Sequence, residues 1–82
     1  MATKPRTNYL AGVTQDQSGM VYVDIKSDDC GRVVNHALWG RLTCVSSDLG
    51  NGMHRVIFPR GTSLLDAKTV MYRFDELYGP GV

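Results

Sequence analysis

The sequence predicts an α+β fold: an antiparallel sheet of four or five strands, built from two hairpins, with one C-terminal amphipathic helix packed on it. Three observations carry this. Met20 to Lys26 alternates, with Val21, Val23 and Ile25 on one face and Met20, Tyr22, Asp24 and Lys26 on the other, the period-two pattern of a half-buried strand. Asp48-Leu49-Gly50-Asn51-Gly52 divides two further strand-like runs and contains Asn-Gly, a pair that tolerates positive φ and so marks a hairpin turn. Leu64, Ala67, Val70, Met71, Phe74, Leu77 and Tyr78 recur three and four residues apart, which places them on one stripe of a helix.

The elements follow in order. Residues 1–8 are polar, with Pro5 between Lys4 and Arg6, and read as a flexible N-terminal arm. Residues 9–79 form the single α+β domain and residues 80–82 a short tail, since a chain of 82 residues holds one domain. Tyr9 to Thr14 reads as a first strand, with Tyr9, Ala11 and Val13 on one face. Gln15-Asp16-Gln17-Ser18-Gly19 turns the chain into the Met20–Lys26 strand and completes the first hairpin. Ser27-Asp28-Asp29-Cys30-Gly31 has turn composition. Val33, Val34, Ala37 and Leu38 fit either a short helix or a strand covered on both faces, and the long β-type segments on either side favour the strand. Trp39 is expected in the core. Arg41 to Ser47 and Met53 to Phe58 make the second hairpin, and Pro59, which lacks an amide donor, ends it. Ser63-Leu64-Leu65-Asp66 resembles a capping box with Ser63 as the N-cap, and Gly79-Pro80 supplies the stop. Phe74 is the expected anchor of the helix on the sheet.

Composition narrows the function. Apolar residues make up 43% of the chain and charged residues 21%, which suits a globular fold and argues against disorder. Met1 to Asn8 has no apolar core, so it is no signal peptide, and no apolar run approaches the ~20 residues of a membrane span. The expectation is a cytoplasmic protein that does not engage a membrane, with Cys30 and Cys44 reduced. A formal net charge of +1 is low for a nucleic-acid-binding domain, whose affinity comes from neutralising phosphates. The charge is uneven, however. Between Cys30 and Arg60 stand Arg32, Arg41, Arg55 and Arg60 against one acid, Asp48.

Catalytic and cofactor motifs are not found. Cys30, His36, Cys44 and His54 have the composition of a structural zinc site, but five, seven and nine residues intervene between them, whereas one tight turn must aim paired ligands at the ion. Cys30 with His36, or Cys44 with His54, offers nucleophile and base but no patterned third group to orient the imidazole. Gly50-Asn51-Gly52 precedes a strand and not a helix, so it cannot cradle a phosphate. The sequence therefore predicts no enzyme, no cofactor and no metal.

Two binding surfaces stand out. Leu65 and Tyr72, seven residues apart, stack on one side of the predicted helix, away from the core stripe. Thr69, Arg73, Asp75 and Glu76 surround them. A leucine and a tyrosine ringed by charges make a small docking surface, because tyrosine is enriched at interface centres. The expected function is non-enzymatic binding to another protein through Leu65, Thr69, Tyr72, Arg73, Asp75 and Glu76, with a homodimer as the simplest way to cover that side. The second surface is the arginine-bearing hairpin, Arg32, Arg41, Arg55 and Arg60, with Trp39, Tyr22, His36 and His54 as stacking groups for a nucleic acid. A third reading is a virion or assembly subunit. In size and character the chain is similar to the small accessory inhibitors that phages and mobile elements direct at host machinery, such as anti-CRISPR proteins, a similarity of size class and not of motif.

Overall fold

The computed structural model describes residues 8–78. All but the last residue of the expected arm, the Gly79-Pro80 stop and the tail lie outside them. The chain runs through a 3-10 turn (Tyr9–Gly12), β1 (Thr14–Gln15), β2 (Val21–Lys26), α1 (Ser27–Trp39), β3 (Val45–Gly50), β4 (Met53–Ile57) and α2 (Leu64–Tyr78). The sheet order is β1-β2-β4-β3, and every neighbouring pair is antiparallel. Both expected hairpins form, β1 with β2 and β3 with β4. Because β2 and β3 each oppose β4, they run the same way on either side of it, and α1 is the crossover of a split βαβ unit.

The alternation in β2 decides which face is covered. Val21, Val23 and Ile25 are buried with Val56, Phe58, Val33, Ala37, Ala67, Met71 and Phe74 in one core. Each fully buried aliphatic side chain contributes roughly 1.5–3 kcal/mol over an exposed one. Tyr22 and Asp24 point to the opposite face. There Asp24 is the cross-strand partner of Arg55.

Four expectations are corrected. Residues 27–39 form α1 and not a turn followed by a strand. Cys30, Val33, Val34 and Ala37 make the apolar stripe at i, i+3, i+4 and i+7, and Asp28 and Asp29 stand in the first turn, where carboxylates favour the positive helix end. The helix closes in a Schellman motif: the Arg41 amide donates to Leu38 O at 2.8 Å and the Leu42 amide to Ala37 O at 3.0 Å. The left-handed position falls on Arg41 (φ 67) and not on the glycine beside it. Second, the expected first strand is mostly the 3-10 turn. Its amides at Tyr9 and Leu10 donate to the Asp75 carboxylate, at 3.1 and 3.0 Å, and not to a neighbouring strand. Third, β3 begins at Val45, because the end of α1 takes up residues 40–42, and runs to Gly50. The hairpin turn is the pair Asn51 and Gly52, both at positive φ (55 and 77). Fourth, Leu77 is 68% exposed, so the core stripe of α2 is carried by Ala67, Met71 and Phe74.

The start of α2 matches its sequence signal. The Ser63 hydroxyl accepts from the Asp66 amide at 3.0 Å. Ser63→Ala should therefore lower stability by about 1 kcal/mol, and Ser63→Asp should restore most of it; urea unfolding of the three proteins checks this.

Candidate functional site

The two helices lie antiparallel, with the His36 ring edge-on to Phe74 at 5.9 Å and the Arg32 guanidinium 5.8 Å from the Tyr78 ring centre. Between the last turn of α1 and the first half of α2 they leave an open groove of about 380 Å³, lined by His36, Trp39, Leu42, Asp66, Thr69, Val70 and Arg73, with Gly40 at its end. Trp39 also borders a second depression with Asn35, Leu38 and Arg41. The indole is 83% exposed, which corrects its expected place in the core. Once residues 27–39 are helical, Trp39 lies half a turn from the Cys30–Val33–Val34–Ala37 stripe, so it must face outward. An exposed tryptophan at a concave surface is the composition of an interface centre.

The predicted docking residues divide. Leu65 (73% exposed) and Tyr72 (54% exposed) face outward, with Glu76 exposed on the same side. Thr69 and Arg73 are exposed and also line the groove. Thr69 donates its hydroxyl back to Leu65 O at 2.9 Å, which leaves its methyl to the surface. Asp75 departs from the set: it is 5% exposed, and its carboxylate holds the N-terminal turn. Leu42, Asp66 and Val70 are groove residues that neither predicted surface included, while His36 and Trp39 were expected only as stacking groups of the arginine surface. The groove itself was hidden with α1, which forms one of its walls.

The predicted arginine surface does not form one patch. Arg55 donates to both Asp24 oxygens at 2.7 and 3.0 Å and lies 4.2 Å over the Tyr22 ring. Arg32 donates to Asp29 at 3.1 Å. Arg41 caps α1, and Arg60 stands in the β4–α2 connection.

The titratable cluster is also dispersed. Among the described residues no three His, Cys, Asp or Glu side chains come together as metal ligands. The Ser27 hydroxyl and His54 Nδ1 share a hydrogen bond of 2.6 Å, while the Ser27 amide donates to Gly52 O. This ties the start of α1 to the β3–β4 turn. Cys30 and Cys44 are free thiols. Burial pushes the Cys44 thiol up to about 11. Tyr9 is raised to about 12, first by burial and then by donating to Asp29, at 2.6 Å. Both groups keep their protons in the fold after the unfolded chain has released them. Their stabilising share is thus intact below about pH 9, the ordinary thiol value, and is lost as pH rises through 11 and 12. The thermal midpoint should fall across that alkaline window, and Cys44→Ala together with Tyr9→Phe should flatten the fall.

No helix among the described residues is long and apolar enough to cross a membrane. The chain matches no protein family, and neither a curated protein nor a solved structure is significantly similar to it.

Proposed function

We propose that the protein is a non-enzymatic docking module that binds another protein through its helical layer. The observation that carries this reading is Trp39: a tryptophan 83% exposed at the rim of a groove, with Leu65 and Tyr72 exposed on the adjoining side of α2. Arg41 supports it. A non-glycine residue in the left-handed region costs roughly 1–2 kcal/mol, and this one holds the chain beside Trp39, where glycine would relieve the cost. The face combines exposed apolar side chains, Trp39, Leu65 and Tyr72, with Asp66 and Arg73 at the groove between them, the mixture of aromatic and polar groups that protein interfaces use. The nucleic-acid reading draws less support, since the Arg55 and Arg32 side chains are already engaged within the chain. An inhibitor of a cellular machine and an assembly subunit would both use such a surface. They differ in the partner and not in the geometry.

The test is capture on tagged protein from a nuclease-treated lysate of the source cells. A specific protein should bind the native chain and be lost with Trp39→Ala. That variant should fold with stability within about 0.5 kcal/mol of the native chain, as surface substitutions do. Binding indifferent to Trp39→Ala and to Leu65→Ala with Tyr72→Ala would overturn the reading, as would a bound fraction consisting of nucleic acid and lost at raised salt.

A further inference from the structure

The outer side of α2 carries two rows of residues with the same symmetry. Leu65 and Tyr72 form one row, seven residues apart and both exposed. Asp66 and Arg73 form the next, also seven apart and both exposed. The midpoint of the first row falls between Lys68 and Thr69, and that of the second between Thr69 and Val70. Thr69 lies between the rows around the helix and at their common centre along it. It is small, and its hydroxyl is already donated to Leu65 O, so a second backbone can approach there without stranding a polar group.

We propose, resting on the docking reading above, that the partner of this side is a second copy of the chain, with the two α2 helices antiparallel about a two-fold axis at Thr69. In that arrangement Leu65 covers Tyr72 of the second copy and Asp66 meets Arg73 of the second copy, and each contact occurs twice. The charges select the direction. A parallel two-fold pair would exchange the two flanks and set Asp66 against Leu65 and Arg73 against Tyr72 of the second copy, which leaves each charge in the seam without its counter-charge and is unfavourable. Among the described residues Asp66 and Arg73 form no ion pair within the chain, so both are available. Trp39 lines the same groove as Asp66, Thr69 and Arg73, and it borders the seam on the charged side. One helix pair is smaller than a standard interface of about 800 Å² per partner, so the expected dimer is a weak one.

Sedimentation equilibrium of the full chain tests this from low micromolar to near-millimolar concentration. The weight-average mass should rise from 9.1 kDa toward twice that value. Leu65→Ala with Tyr72→Ala should weaken association roughly tenfold or more. Asp66→Arg alone should weaken it by a similar factor, because it sets two positive groups together. Asp66→Arg combined with Arg73→Asp should restore it, because the pairs re-form inverted. Thermal melts of each variant separate a weakened interface from a weakened fold. A monomer at every concentration, or a dimer indifferent to the single and double charge reversals, overturns the proposal. A monomer that still captures a protein through Trp39 overturns it while leaving the docking reading in place. A dimer rescued by the double reversal supports it whatever the capture experiment finds.

Discussion

Phe74→Ala should lower the unfolding free energy by about 3–5 kcal/mol. The ring is fully buried and touches three others: Tyr9 and His36 with centroids 5.9 Å away, and Tyr78 at 4.6 Å. It is therefore the point at which the N-terminal turn, α1 and α2 meet. Removing it deletes the largest apolar surface of α2 and leaves a cavity whose walls belong to three different elements, so none of them can close it alone. A domain of this length has only about 4–12 kcal/mol of stability in total, and the variant should stand near the edge of folding. Leu77 makes the contrast. It belongs to the same sequence stripe but is 68% exposed, so Leu77→Ala should shift stability by no more than about 0.5 kcal/mol. Urea unfolding of the two variants measures both. Equal midpoints would mean that Phe74 does not anchor the helical layer.

The contrast between Phe74 and Leu77 shows what was legible in the sequence. The start of α2 was readable because Ser63 satisfies an orphan amide at the helix end, a local event. The β3–β4 turn was readable because Asn51 and Gly52 tolerate positive φ, also local. The alternation of β2 was readable because a sheet with one covered face demands it. α1 was misread for a reason that is equally physical. Ser27-Asp28-Asp29 has the composition of a turn, but the same short polar side chains serve the first turn of a helix, and only the covered stripe from Cys30 to Ala37 separates the two. Gly40 is the cap position of α1, one residue before the left-handed Arg41. With α1 lost, Trp39 could not be placed outside the core and the groove could not be seen. Of the residues proposed for docking, the outward position of Leu65, Thr69, Tyr72, Arg73 and Glu76 was legible because helical spacing alone puts them on that side. Asp75 was not, because its partners are amides 65 and 66 residues away in sequence.

Asp75→Ala should cost about 2–4 kcal/mol, because it strands two donors at once. Its carboxylate accepts from the Tyr9 and Leu10 amides in a setting where the side chain is 5% exposed. A carboxylate there is tolerated because two N–H dipoles converge on it, and these bonds are charge-assisted and correspondingly strong. The loss should be felt first in the N-terminal turn and only then in α2. Tyr9 adds its own ties, its ring on Phe74 and its hydroxyl between Asp29 and the Lys26 amide. The two residues therefore hold one turn from two sides, and Asp75→Ala with Tyr9→Phe should be non-additive, as substitutions within one network are. Asp75→Asn should fall between the native chain and alanine, since the amide keeps one acceptor oxygen and turns a donor group toward the other N–H. Hydrogen exchange locates the effect: the amides of residues 9–12 should lose protection in Asp75→Ala by more than those of α2. If those amides exchange as in the native chain and the stability change is that of a surface residue, the turn is held by Tyr9 alone.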